Sequence, residues 1–182
     1  MGIHFLSRAA YQLGGTNMSK IQLKKRHTLR KSQVSVIYSR LKSEIGEAES
    51  RFYRDQLEIV ETSTSLRLYM VDKKPLLMDL DGVIFPTLRG LLEQPFPERR
   101  IVVDSGAVSY VVNGADVMRP GIVSVTDDIK AGSPAQVVEE RYGKPIAVCI
   151  PLFDAAELRE KTTGKMARNI HHVGDEIWAL EY

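Results

Sequence analysis

Three short stretches of this 182-residue chain carry residue types that could do chemistry. The first is Leu76-Leu77-Met78-Asp79-Leu80-Asp81-Gly82-Val83, an apolar run ending in two carboxylates one residue apart. Such a pair can attack phosphorus with its first carboxylate, use the second as acid and base, and hold a magnesium ion between their oxygens. The second stretch is His171-His172. Adjacent residues of a strand point to opposite faces, so the two imidazoles do not readily share an ion, and no second His or Cys cluster lies nearby in sequence. The third is Cys149, inside the apolar stretch Ile146 to Ile150, where a thiol reads as a small buried hydrophobe rather than a nucleophile. As the chain's single cysteine it excludes an internal disulfide and any cysteine-based zinc site, and it fits a reducing cytoplasm. No Ser-His-Asp order, phosphate-cradling loop or Gly-x-Gly-x-x-Gly is present. The residues imply neither a metal nor a cofactor.

The Asp79/Asp81 pair needs a context the chain does not supply. It resembles the opening motif of haloacid-dehalogenase-like phosphatases, which requires a following Rossmann-like series with a lysine and further carboxylates. Only about 100 residues follow, and they read as short strands. The preferred reading is a hairpin turning at Asp81-Gly82, with a magnesium-dependent phosphatase as the lesser alternative.

A longer stretch carries more information: Asp104 to Ile122, running from Asp-Ser-Gly-Ala to Met-Arg-Pro-Gly-Ile. It reads as a short helix between two glycine-containing turns, leading into a strand. Asp104 or Ser105 can cap the helix start, Asn113-Gly114 supplies the left-handed residue that ends it, and Pro120-Gly121 forces a bend. The Gly-Ala pairs at 106–107 and 114–115 leave bare backbone at both helix ends, where a large ligand can approach closely; a nucleic-acid backbone is one candidate.

This stretch resembles the PUA domain, an RNA-binding module, through Gly106-Ala107, Gly114-Ala115-Asp116-Val117-Met118 and Pro120-Gly121-Ile122. Asn169-Ile170-His171, with Asp175 and Trp178 following, agrees with it. Upstream, Ile84-Phe85-Pro86-Thr87-Leu88-Arg89 looks like the malignant T-cell-amplified-sequence proteins, here of an archaeal-like type, which share their architecture with ligatin. The similarity covers roughly residues 20 to 180. Cys149, where many PUA domains have glycine, and Gly132-Ser133, where Gly-Asp is common, depart from the pattern. The resemblance implies a groove between the first PUA helix and the next strand, backed by the last strand. Its RNA-binding residues would be Gly106, Ala107, Gly114, Ala115, Met118, Arg119, Pro120 and Gly121, with Ile170 and His171 nearby. Arg119 is expected to fork onto phosphate or a base edge. For Ala107 and Met118, a purely structural role in the turn-helix-turn is an equal reading.

Charge points the same way. The net charge of +2 hides nine cations and no acid in residues 1–43, against 16 basic and 23 acidic side chains in the other 139. Such a split suggests an anionic partner at one end, contacted by Lys24, Lys25 and Arg26; solvated basic arms are the plainer alternative. Aromatic residues make up only 7%, so an open stacking platform is not expected to be the main mode. No apolar run reaches the ~18 residues of a membrane span.

The elements that must position these residues can be read from periodicity. Lys20 to Lys25 reads as a strand. Ser32 to Ile45 reads as a helix with Val34, Ile37, Leu41 and Ile45 on one stripe and Arg40 opposite, stopped by Gly46. Strands are expected around Leu57–Ile59, Leu66–Val71 and Leu76–Leu80, the last two joined through Asp72-Lys73-Lys74-Pro75. A short helix then starts at Pro86 and ends near Leu92. Pro95 and Pro97 mark a joint. Beyond it the expected strands are Ile101–Val103, Val117–Val125, Gln136–Arg141, Pro145–Leu152 and Glu176–Leu180, with a helix capped by Asp154.

The fold class is therefore α+β: residues 1–19 a possible extension (Met18 being a second possible start), 20–98 a small N-terminal α/β (pre-PUA) domain, and 99–182 a PUA-like β-barrel. At roughly 80 residues each, the halves are expected to pack on each other. What the resemblance implies is a non-enzymatic, cytoplasmic RNA-binding protein of translation, engaging ribosomal RNA or tRNA on the small ribosomal subunit. A density-regulated-protein-like partner is also implied, and neither membrane nor DNA. An accessory subunit of a tRNA or rRNA modification enzyme is the alternative.

Overall fold

The computed structural model describes residues 21–180; the expected extension over residues 1–19 lies outside them. Two antiparallel-rich sheets follow one another along the chain. The first has five strands in sequential order: β1 (Leu23–Thr28), β2 (Glu58–Thr62), β3 (Arg67–Val71), β4 (Lys74–Leu80) and β5 (Val83–Pro86). Tight turns set its registers. Asp72 and Lys73 take φ of 47° and 66°, and Asp81 and Gly82 take 51° and 94°, the two-residue left-handed geometry that matches strand twist. Helix α1 (Lys31–Ile45) presents Val34, Ile37, Leu41 and Ile45, joined by Tyr38, to the core.

Gly46, at φ 62°, ends α1, and the chain then tightens into a 3₁₀ helix over Gly46–Phe52 that periodicity did not reveal. Tyr38 holds it: its hydroxyl donates to Phe52 O (2.8 Å) and accepts from Arg54 N–H (2.9 Å). Burial pushes that phenol up to about 12. Arg40, expected to face solvent or a partner, instead bonds Gly82 O across the β4–β5 turn and is half-buried.

Pro86 closes β5 rather than opening a helix. Thr87 is the N-cap of α2 (Leu88–Glu93): its hydroxyl accepts from Gly90 N–H (3.2 Å) and donates to Pro75 O (2.6 Å). A threonine with both a helix start and a strand carbonyl to satisfy outweighs the proline signal one residue earlier.

The second sheet has six strands in the order β7-β11-β10-β9-β6-β8. These are β6 (Arg100–Val103), β7 (Val117–Met118), β8 (Ile122–Val125), β9 (Ala135–Glu139), β10 (Pro145–Pro151) and β11 (Lys165–His172). The strands at its two ends, β7 and β8, are consecutive in the chain, joined by one 3₁₀ turn, Arg119–Gly121. The sheet must therefore curl until its edges meet, giving a nearly closed barrel. The single strand expected over Val117–Val125 is split there because Pro120 has no N–H to continue a ladder. Helices α3 (Ser105–Val111), α4 (Ala155–Glu160) and α5 (Glu176–Ala179) decorate the barrel.

The last strand differs from expectation. Residues 165–172 form it, and 176–179, expected as a strand, are helical. Asp175 caps that helix, accepting from Trp178 N–H (2.8 Å). Arg168, Asn169, His171 and His172 masked the strand because they read as a polar stretch. Asn169 and His171 are nevertheless buried, with polar partners inside the fold.

Strand β10 joins the halves. Ala147 and Cys149 belong to the barrel core, whereas Val148 and Ile150 join the core built on the first sheet, as do Ile170 and Ile177. A strand buried on both faces reads as an unbroken apolar run, which Pro145–Pro151 is. Cys149 is fully buried and its thiol is pushed up by desolvation. Gly90 sits where a Cβ would run into the Leu76 carbonyl, a backbone atom that cannot swing aside. Gly90→Ala is expected to destabilise the fold by about 1–3 kcal/mol, the range for overpacking, seen as a lower denaturant midpoint at unchanged m.

Candidate functional site

Helix α3 and the 3₁₀ turn after β7 face each other across a groove of about 430 Å³. Asp104 caps α3 by accepting from Ala107 N–H (2.8 Å), and its own N–H donates to Gly121 O (2.9 Å), so one residue sets the helix start against the turn. Gly121 permits the approach: a Cβ there would stand 2.7 Å from that of Ala107. Gly114, at φ 90°, ends α3, and a Cβ on it would meet His172 Nε2 at 2.8 Å. These two glycines are thus required by packing and backbone, each at one end of the motif.

The structure gathers Gly106, Ala107, Ala115, Met118, Pro120 and Gly121 on the groove wall. Gly114 shapes the motif without lining it. Tyr110 also lines the groove, 69% exposed, and sequence reasoning missed it; its place in the capped helix, three residues beyond Ala107, was the available signal. The wall is apolar apart from two carboxylates. Asp104 is engaged as a cap, and Asp116 accepts from Asn169 N–H (3.0 Å) while pairing with Lys165 (2.7 Å). Such a surface suits the uncharged part of a ligand, with cations placed outside it.

Arg119 lies beside this groove with its fork turned inward. Nε donates to Lys161 O (2.6 Å) and Nη1 to Ile122 O (3.1 Å), clamping the 3₁₀ turn to the loop before β11. Ile170 and His171 stand apart from the groove surface: both are buried, at 7% and 1% exposure. His171 Nδ1 lies 2.8 Å from Asp175 Oδ2, whose carboxylate also accepts from His172 N–H (2.9 Å). This closes the β11–α5 turn. From α5, the Trp178 carbonyl accepts from Arg89 Nε (3.1 Å) and Nη2 (2.8 Å), and the guanidinium lies 4.5 Å from the indole centroid. The Thr87-Leu88-Arg89 part of the upstream motif thus ties α2 to the C-terminal helix.

Lys24, Lys25 and Arg26 sit exposed on β1, the edge strand of the first sheet; Arg26 pairs with Glu58 at 2.6 Å. The Asp79/Asp81 pair is a hairpin device. Asp79 is 1% exposed, accepts from Gly82 N–H (2.7 Å) and lies 3.3 Å from the Tyr69 hydroxyl and 3.8 Å from both Arg40 and Arg67. Asp81 is exposed in the turn. Among the described residues, no three His, Cys, Asp or Glu side chains are grouped to hold a metal, and no helix is long and apolar enough to cross a membrane.

Comparison with known proteins agrees with this geometry. Residues 99–174 match the PUA domain family. An uncharacterized protein of Methanocaldococcus jannaschii is 34% identical over 158 residues, covering 87% of this chain and 98% of its own. Translation machinery-associated protein 20 of Schizosaccharomyces pombe is 30% identical over 153 residues, covering 81% and 83%. Malignant T-cell-amplified sequence 1 of Danio rerio is 28% identical over 132 residues, covering 70% and 73%. The crystal structure of a hypothetical protein from the archaeon Pyrococcus horikoshii OT3 superposes with a TM-score of 0.76 at 35% identity, covering 85% of this chain and 98% of that one.

Two expectations follow. Arg119→Ala is expected to lower stability by about 1–3 kcal/mol, since the two charge-assisted bonds that clamp the turn to the loop before β11 go with it. The effect should appear in the denaturant midpoint without any ligand present. The second concerns pH. Burial would raise the Asp175 carboxyl, but the His171 imidazole and the N–H groups of Trp178 and His172 outweigh it and hold it below the usual carboxylate range. Its stabilisation is therefore present above the ordinary Asp value and is lost as pH falls through the depressed one. Asp175→Asn should be less stable than wild type at pH 7, with the gap closing under acid, measured by denaturation at pH 7 and about pH 3.

Proposed function

This chain belongs to the family of translation machinery-associated protein 20 and malignant T-cell-amplified sequence 1, and on that premise we propose that it is a non-enzymatic RNA-binding protein of translation. It engages ribosomal RNA or tRNA through its PUA domain, in the cytoplasm and on the small ribosomal subunit, beside a partner of the density-regulated-protein type. The observation that carries the reading is the groove between α3 and the Arg119–Gly121 turn, inside the stretch matched to the PUA family.

Its chemistry favours a division of labour. An apolar wall with both carboxylates engaged would repel phosphate and accept a base or ribose. Phosphates would then lie over cations outside the wall, and the β1 lysines would add attraction that is indifferent to sequence. Folded RNA, recognised by shape and by unpaired ends, presents both kinds of group. Of Arg119, Nε and one N–H of Nη1 are already engaged by backbone carbonyls, so the turn would contribute shape more than a free fork.

Binding of a structured RNA is expected to fall steeply with salt, with a log–log slope of about −3 to −5 if roughly four to six phosphates are neutralised. Ala115→Trp, which fills the groove, should weaken binding at every salt concentration with the slope kept. Changing Lys24 and Lys25 to Gln should flatten the slope for all RNAs alike. Fluorescence anisotropy from 50 to 300 mM salt measures both, and a flat dependence in the wild type would sink the reading.

A further inference from the structure

We propose that the tip of the β9–β10 hairpin is a second nucleic-acid contact, with Tyr142 stacking on an unpaired base and Arg141 and Lys144 meeting the flanking phosphates. The proposal rests on the RNA reading of the groove and extends it to residues outside that groove.

The tip is held in one shape. The Glu139 carboxylate accepts from the N–H groups of Arg141 (2.8 Å), Tyr142 (2.8 Å) and Lys144 (3.1 Å), and Gly143 N–H donates to Glu139 O (3.1 Å). Gly143 takes φ of 66° with open space around it, so the backbone shape alone calls for glycine. Desolvation would raise the Glu139 carboxyl, but the three N–H donors outweigh it and hold it below its usual range.

What this frame displays is outward-facing. Tyr142 is 69% exposed, and Arg141 and Lys144 are exposed on either side of it. The Arg141 guanidinium lies 5.2 Å from the ring centroid, covering one face of the phenol. A base can take the other. The neighbouring carboxylates are engaged by backbone: Glu139 by the three N–H groups of the turn, Glu140 by accepting from Ser105 N–H (3.2 Å). The two cations stand beside the ring, free to meet phosphates on either side of a stacked base.

The same Glu140 contact places the tip beside the groove. Ser105 is the first residue of α3, whose Gly106, Ala107 and Tyr110 form the groove wall, and Glu140 N–H donates to Val103 O (3.0 Å) just before it. One strand of RNA leaving the groove past the start of α3 reaches the tip. A protein partner fits less well, because one ring supplies the tip's large apolar surface, against the ~800 Å² per side of a stable protein interface. A ring bracketed by cations is what an unpaired, charged strand recognises.

The test uses the full chain, a labelled RNA hairpin with a single-stranded 3′ end, and anisotropy across a salt series. Tyr142→Ala should weaken binding roughly five- to hundred-fold with the salt slope unchanged. Tyr142→Phe should bind like wild type. Arg141→Gln with Lys144→Gln should make the slope shallower by about one to two. If Tyr142→Ala binds like wild type while Ala115→Trp is weakened, the tip is no contact and the groove reading stands. If Tyr142→Phe is as weak as Tyr142→Ala, the stacking assignment is wrong. If the wild type does not bind, or binds no better than Ala115→Trp, the groove reading falls and the tip proposal with it. Folding of each variant is checked by near-ultraviolet circular dichroism.

Discussion

Three residues, Arg119-Pro120-Gly121, join the strands at opposite ends of a six-stranded sheet, and most of the second half of the molecule follows from that short connection. A flat sheet would hold β7 and β8 many strand spacings apart, at about 4.8 Å each. The chain allows only one turn between them, so the sheet must close on itself. The β7–β11 ladder runs on to Arg119 N–H, which donates to Gly164 O (2.8 Å), and the closing turn sets Gly121 against Ala107. The groove is thus the outer surface of the barrel's closing seam. A perturbation of the seam moves the groove wall, and for that reason Arg119 is held by two carbonyls rather than left free.

A second constraint ties the halves together. The first sheet covers part of its core with α1, and the rest needs another apolar surface. Strand β10 provides it with Val148 and Ile150, while the alternate residues Ala147 and Cys149 face the barrel interior. Neither half, at this size, has much apolar surface to lose. The Arg89–Trp178 contact and the Asp175 cap add a polar strap across the join between the halves. The groove and the basic β1 edge therefore sit on one framework rather than on two independently tumbling bodies, and an RNA that touches both need not order a linker first.

Much of this was legible in the residues, for specific reasons. The Asp104 cap, the left-handed Gly114 and the break at Pro120-Gly121 each leave a one-residue signature, and each appears where its side-chain chemistry requires. The apolar stripe of α1 and the unbroken run of β10 were equally plain. The last strand was not: Asn169 is buried through partners distant in sequence, Val111 O and Ala115 O, and His171 through Asp175 beyond the strand's end, and no apolar alternation announces such burial. For the same reason Ile170 and His171 were grouped with the groove by motif, although their side chains face the interior. The inward fork of Arg119 was hidden too, since its acceptor Lys161 O is 42 positions away.

Exposed tyrosines illustrate the opposite limit. Composition argued against an open aromatic platform as the main mode; among the described residues, α3 and the hairpin tip beside it each expose a single ring, Tyr110 and Tyr142. A ring that contributes to no core loses burial free energy of the order of 1.5–3 kcal/mol relative to a packed one, so its place on the surface is not explained by stability. Tyr110 belongs to the seven-residue helix α3, and Tyr142 sits on the tip that Glu140 ties to that helix's first residue; by its rise the helix spans about 10 Å. That distance exceeds one base step and falls short of two helical turns. In the proposed reading a strand crossing α3 would meet one ring in the groove and the other at the hairpin tip, and the closing seam, the helix and the tip would then be parts of one recognition surface.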